Sequence, residues 1–209
     1  MIAVELCRWR AQRRSLPASK SAMRVVFIGP PGSGKGTQAK LLQKRLGVNY
    51  IGTGDLLRDE VLQGTDLGRR VEPYLHEGRL VPDNLVNDIV AELLRRPDRP
   101  PRFVMDGYPR TVEQARSFDS FLHEQGLELT AVIHFLIDEN EVIRRLSGRQ
   151  RSDDSEHTVR HRLQVFRDTM RQLVEHYRQK GLLHEIQAMD SVENLYQKII
   201  DILQTTSGK

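Results

Sequence analysis

The chain has 209 residues, 38% hydrophobic and 29% charged, which is enough for one core of ordinary size; it has no apolar run near the roughly 20 residues that a membrane-spanning helix needs. Its net charge of +4 is carried entirely by residues 1–22, with five Lys or Arg against one Glu, so residues 23–209 are formally neutral. A broad nucleic-acid-binding face needs Lys and Arg clustered on the folded body and is therefore disfavoured, and the single cysteine, Cys7, leaves no intrachain disulfide or Cys-based metal site and makes a reducing compartment the default.

The first segment, MIAVELCRWRAQRRSLPASKSA, is Arg-rich and acid-poor, with Ser, Pro and Ala near its end, as in an organelle transit peptide. Two other readings stand beside targeting: a disordered or spurious extension, since Met23 directly precedes the first strand-like run, and a nucleic-acid or lipid contact. The expected organisation is an extension over 1–22 and one domain over 23–209. The strand-like run RVVFI (24–28) leads into GPPGSGKGTQ (29–38), and then into a helical pattern with Ala39, Leu42 and Leu46 on one face. A glycine-rich loop between a strand and a helix turns backbone N–H groups onto phosphate oxygens. Gly32, Ser33, Gly34, Gly36 and Thr37 supply the cradle, and Lys35 reaches the outer phosphates.

A weak strand at 48–51 precedes GTGDLLR (52–58), and Gly64, Gly68 and Gly78 punctuate a run suited to a small helical flap over about 52–81. The strand RFVM (102–105) opens onto Asp106 and then GYPRTVEQA. Arg110 has the fork that grips a phosphate through two parallel bonds, and Gly107 admits close backbone approach. Gln114 offers the donor–acceptor pair that reads a base edge, but it also stands at capping-box spacing from Thr111. A third strong strand, AVIHFLI (131–137), contains His134, read as a hydrogen-bonded core residue. Beyond it lies RRLSGRQRSDDSEHTVRHRL (144–163), where Arg145, Arg149, Arg151 and Arg162 either stabilise a transferring phosphoryl group or form a solvated charged loop. Val159, Leu163, Phe166, Met170, Leu173 and Tyr177 mark one face of a long helix, a weak strand follows at 182–186, and Val192, Leu195, Ile199 and Ile202 close the chain as a last amphipathic face. Strands alternating with helices predict an α/β fold with a parallel five-stranded sheet covered on both faces, whose ligands gather beyond the strands' carboxyl ends.

Glycine follows Lys35, so the loop departs from the common form in which a Ser or Thr there binds Mg²⁺. In this respect GPPGSGKGTQA resembles the adenylate kinases and their nucleoside-monophosphate kinase relatives, a similarity extending over about 24–203. The resemblance implies a P-loop fold with a helical NMP-binding flap and a short lid at about 148–155, and transfer between MgATP and AMP giving ADP. It implies Mg²⁺ held through water with Asp106 behind it, no zinc, no nucleic-acid or membrane partner, and a cytoplasmic monomer. It places Thr53, Arg58, Arg79, Leu80, Val81, Gly107, Tyr108, Pro109, Arg110 and Gln114 in the AMP site. Arg149, Arg151 and Arg162 become lid or catalytic arginines, the last two also facing AMP, and the backbone near Asp190 meets the ATP base. Thr111 stands where uridylate and cytidylate kinases typically carry Asn, which favours AMP over pyrimidine acceptors. Another monophosphate acceptor and a non-catalytic nucleotide switch are the rival readings. Two departures are His157, where Glu is usual, and EIQAMDSV (185–192), which lacks the usual Asp and Gly of the final turn.

Overall fold

A computed structural model describes residues 23–147 and 156–206. Strands β1 (Arg24–Ile28), β2 (Asn49–Gly52), β3 (Phe103–Asp106), β4 (Ala131–Leu136) and β5 (Leu183–Gln187) form one parallel sheet in the order β2-β3-β1-β4-β5. All five expected strands are present, each with its limits within one residue of the expectation. The helices among the described residues are α1 (Lys35–Leu46), α2 (Thr53–Leu62), α3 (Asp66–Glu77), α4 (Asp83–Arg95), α5 (Val112–Glu124), α6 (Glu139–Ser147), α7 (Glu156–Gln179) and α8 (Val192–Thr206).

The continuous apolar runs of the strands are explained by burial on two faces, as parallel sheets require. Val26, Ile28, Phe103, Met105 and Val132 point to one side, where they pack with Leu57, Val90, Phe118, Leu173 and Tyr177 from α2, α4, α5 and α7. Val25, Phe27, Val104, Ile133 and Phe135 point to the other, against Ala39 and Leu42 of α1 and Leu195, Ile199 and Leu203 of α8. His134 is buried on β4 with its Nδ1 3.1 Å from Glu185 Oε1 on β5; burial lowers its pKa and Glu185 opposes the shift, so the ring is a neutral, bonded core group.

Two expected helical faces are divided by their surroundings. Along α7, Val159 and Leu163 pack with Val142 and Leu146 of α6, and Leu173 and Tyr177 enter the main core, but Phe166 and Met170 between them line the ligand cleft. On α8 the core face is Leu195, Tyr196, Ile199 and Leu203; Val192, expected among them, is 53% exposed. It occupies the first helical position, where its carbonyl accepts from Gln38 Nε2 at 2.8 Å and its side chain stands at the cleft mouth.

Helices α2 and α3 form a close pair between β2 and α4. Thr65 caps α3 by accepting from Gly68 N at 2.9 Å, and Gly68 itself lies so near α2 that a Cβ there would overlap the Glu60 carbonyl. At the other end of α3 two carbonyls of the last turn meet α7: Thr158 Oγ1 donates to His76 O at 3.1 Å, and Arg162 Nη2 donates at 3.3 Å to Leu75 O, which also accepts from the capping Gly78 N. The helical pair is thus fastened to the start of α7.

Candidate functional site

The carboxyl ends of β1, β2 and β3 and the residue after β5 border one cleft of about 590 Å³, within the range of small-molecule sites. Its floor is the loop between β1 and α1. Gly29, Gly32 and Gly34 all adopt positive φ, at 148°, 80° and 96°, which only glycine does without strain, and this lets the loop wrap ahead of α1. Lys35 folds back over that loop, its Nζ donating to Gly29 O at 2.8 Å, Pro30 O at 2.7 Å and Ser33 Oγ at 3.2 Å. These bonds anchor an ammonium above the helix N-terminus, where an anion is favoured.

Gly36, which departs from the common loop pattern, lies next to the end of β3. A Cβ there would stand 3.4 Å from Asp106 Oδ2 and 3.8 Å from the Tyr50 hydroxyl, ordinary contact distances that put position 36 directly beside the carboxylate at the end of β3. Asp106 and the exposed Thr37 face the cleft together. One carboxylate and a hydroxyl beside a phosphate cradle suit Mg²⁺, which keeps several waters and takes its remaining ligands from substrate phosphates. Among the described residues no group of three or more His, Cys, Asp or Glu could hold a metal ion.

The opposite wall is cationic. Arg110 projects from the turn after β3 into the open cleft, solvent-exposed, with Nε donating to Gly107 O at 2.8 Å. Desolvation by the surrounding walls pushes its pKa down although the side chain reaches solvent, the Asp106 carboxylate opposes that, and repulsion from Arg162 and Arg58 adds to it, so these four groups share one small volume. Arg58 is paired with Asp55, whose other oxygen accepts from the Tyr50 hydroxyl at 2.8 Å. A Cβ at Gly107 would be 2.8 Å from Thr53 Oγ1 and 3.2 Å from Arg110 Nη2, which shows how tightly β3 and α2 converge there. Leu80, Val81 and Pro109 add apolar wall, and Arg79 stands at the rim, bonded to Glu77 and 4.8 Å above the Tyr74 ring.

Two residues placed at the site by the resemblance are bonded into the protein itself. Tyr108 turns into the core: it is 1% exposed, packs edge-on against Phe118 at 5.2 Å and donates to Asn87 Oδ1 at 2.7 Å, with burial raising its pKa. Its aromatic bulk fills the space under α5, and only its backbone belongs to the cleft-side turn. Gln114 does line the cleft, yet both ends of its amide are engaged: Oε1 accepts from Arg110 N at 2.7 Å and Nε2 donates to Asp83 Oδ1 at 2.7 Å. Thr111 caps α5 by accepting from Gln114 N at 3.1 Å, so this glutamine is at once part of the helix start and part of the wall.

At the far end, beyond β4 and β5, the cleft is bounded by Arg145, Leu146, Ala188, Asp190 and Val192. The Asp190 carboxylate turns away to Lys198 Nζ at 2.9 Å, Asn194 Nδ2 at 2.9 Å and Ser191 N at 2.7 Å, and Lys198 foremost lowers its pKa to about 2. Its side chain is therefore a structural brace, which leaves the backbone of the turn to face the cleft. Arg149 and Arg151, with the expected lid, lie outside the described residues. Tyr50, Asp55, Phe166 and Met170 were not foreseen as lining; of these only Asp55 gave a sequence signal, its helical spacing of three from Arg58.

The family model described as adenylate kinase matches residues 27–182. The chain is similar to an adenylate kinase of Thermobifida fusca, 42% identical over 187 residues, covering 88% of this chain and 99% of that one. It is also similar to adenylate kinases of Rhizobium meliloti, 42% identical over 87% of this chain and 100% of the relative, and of Archaeoglobus fulgidus, 36% identical over 87% and 98%.

Proposed function

The chain belongs to the adenylate kinase family and catalyses reversible transfer of the terminal phosphoryl group of ATP to AMP, and we propose that the two nucleotides meet end to end across this one cleft. The observation that carries the assignment is that Arg58, Arg110 and Arg162 crowd one wall while the lysine-bearing loop forms the facing floor. ATP lies with its phosphates along residues 32–37 and its base toward Arg145 and the backbone near Asp190. AMP lies against Thr53, Leu80, Val81 and Gln114, with its phosphate held by Arg58 and Arg110.

Transfer is direct and in line. An oxygen of the AMP phosphate forms a bond to the γ-phosphorus as the bond from that phosphorus to the β–γ bridging oxygen breaks, and the electron pair leaves with ADP. Little covalent chemistry falls to the protein, so its work is positioning and charge stabilisation. Lys35 and the loop amides hold the donor phosphates, Arg110 holds the acceptor, and Arg162 with Arg149 and Arg151 of the 148–155 lid stabilises the charge spread over the moving group. Mg²⁺, when bound near Asp106, neutralises charge on the phosphate oxygens. The segment 52–81 acts as the flap over AMP, and its closure with the lid gates turnover and excludes water. We read the enzyme as a cytoplasmic monomer without nucleic-acid or membrane partners; among the described residues no helix is long and apolar enough to cross a membrane.

Gln114 provides the test of the acceptor end. Gln114→Ala is expected to raise KM for AMP by about 10-fold, the loss of one or two hydrogen bonds, while KM for ATP changes less than about twofold. An unchanged KM for AMP would remove Gln114 from the acceptor site and leave it as the bridge between Arg110 and Asp83.

A further inference from the structure

One group beside the donor end of the cleft is more ordered than its exposure on a surface helix requires. On α6, Arg145 Nε donates to Glu141 Oε1 at 2.7 Å and Arg145 Nη2 donates to the Ala188 carbonyl at 3.1 Å. The guanidinium is therefore bonded on one edge to its own helix and on another to the chain beyond β5. Two anchored edges fix the plane of a side chain that is otherwise long and rich in rotamers. The same Glu141 carboxylate also accepts Arg144 Nε and Nη2, both at 2.7 Å. The two arginines differ in place: the Arg144 side chain is 72% exposed, whereas Arg145 is 29% and Glu141 17% exposed. Arg145 lines the cleft, and a Cβ at Gly34 would be 4.0 Å from its Nη1, so the fixed plane stands beside the phosphate loop itself.

The rest of this compartment has few polar side chains to offer a base. Leu146, Val192 and Leu195 are apolar, Gln38 Nε2 is given to Val192 O, and the Ala188 carbonyl already serves Arg145. A flat cation whose plane is fixed through two of its three nitrogens offers its face, which suits the π-surface of a nucleobase.

We propose that Glu141 is a positioning residue for the donor nucleotide, holding Arg145 as a platform on which the base of ATP stacks. The inference rests on the reading above that the loop end of the cleft takes ATP. Glu141 touches neither substrate; its influence reaches the donor only through the Arg145 guanidinium. Guanidinium bonds from Arg144 and Arg145 hold its pKa down at about 2, so the carboxylate remains ionised wherever the enzyme would be assayed.

The test is steady-state kinetics with ATP and AMP varied separately, together with inhibition by inorganic tripolyphosphate, which has the phosphates of the donor and no base. Glu141→Leu, which removes both acceptors, is expected to raise KM for ATP about 10-fold with kcat, KM for AMP and the tripolyphosphate inhibition constant within about twofold. Glu141→Gln keeps one acceptor and should fall between, and Arg144→Ala should leave KM for ATP unchanged. In an Arg145→Ala background, Glu141→Leu should add nothing, as expected when one residue acts through the other. An unaltered KM for ATP in folded Glu141→Leu would overturn the proposal, as would an equal loss of tripolyphosphate binding; if Glu141→Leu fails to fold, Glu141→Gln at wild-type KM decides against it. Arg145→Ala separates the two levels of inference. If it weakens ATP and Glu141→Leu does not, the role of Glu141 alone falls; if it leaves ATP untouched, the donor-end reading falls as well.

Discussion

Replacing Lys35 by Met is expected to lower kcat by about 10³-fold, the upper end of what one preorganised stabilising group contributes to a developing anionic charge. The ammonium sits on three oxygens of its own loop, Gly29 O, Pro30 O and Ser33 Oγ, within 3.2 Å of each. It is thus delivered to the donor phosphates from a fixed base and needs little reorganisation as charge moves. Methionine preserves the length and most of the packing of the stem, and the two freed carbonyls border an open cleft where water can reach them. Folding should therefore survive, with a thermal midpoint within a few degrees of wild type, which separates a chemical loss from an unfolding one. A variant retaining more than about a tenth of wild-type kcat would mean that loop amides and arginines alone stabilise the transfer.

Arg110→Lys is expected to be nearly as severe, lowering kcat/KM for AMP by about 10²-fold to 10³-fold. The fork that makes two parallel bonds to a phosphate is lost, and so is the bond from Nε to Gly107 O that aims it. Local electrostatics worsen the exchange. Desolvation by the surrounding walls and the neighbouring Arg162 and Arg58 push the Arg110 pKa down, with Asp106 opposing. A guanidinium tolerates this because it starts far more basic, whereas an ammonium yields its proton more readily. The sign follows: for Lys at this position activity should rise as pH falls from 9 toward 7, since the charged form is the useful one, while the wild type should be flat over that range. Kinetics with AMP varied at saturating ATP read both effects. A Lys variant with wild-type kcat/KM for AMP would show that Arg110 does not grip the acceptor phosphate.

What was legible in the sequence was whatever depended on local period and local chemistry. Continuous apolar runs such as RVVFI and AVIHFLI need burial on both faces, and that marked β1 and β4 as strands of a parallel sheet covered on both sides. The phosphate loop was legible because its glycines, lysine and flanking elements form one contiguous unit. Gly36 was legible as an anomaly, but its neighbour was not, since Asp106 lies 70 residues further on and comes near only through the pairing of β1 with β3. Residues whose role depends on which way a turn throws them were the least legible. Tyr108 follows Gly107 in a stretch that otherwise faces ligand, yet its ring fills the core under α5. Phe166 and Met170 continue a perfect helical stripe and still face the cleft, because α7 outruns the core that its two ends serve. Gln114 stands at the helix start that its spacing from Thr111 suggested and also lines the cleft, since a helix start can also be a pocket wall.

ADP formation from MgATP offered AMP, CMP, UMP and GMP in turn tests the central claim most directly. The arrangement of lysine loop, arginine wall and Gln114 predicts transfer to AMP, with two ADP formed for each AMP consumed and far slower transfer to the other three. Tight ATP binding without transfer to any acceptor, or transfer indifferent to the acceptor base, would contradict it.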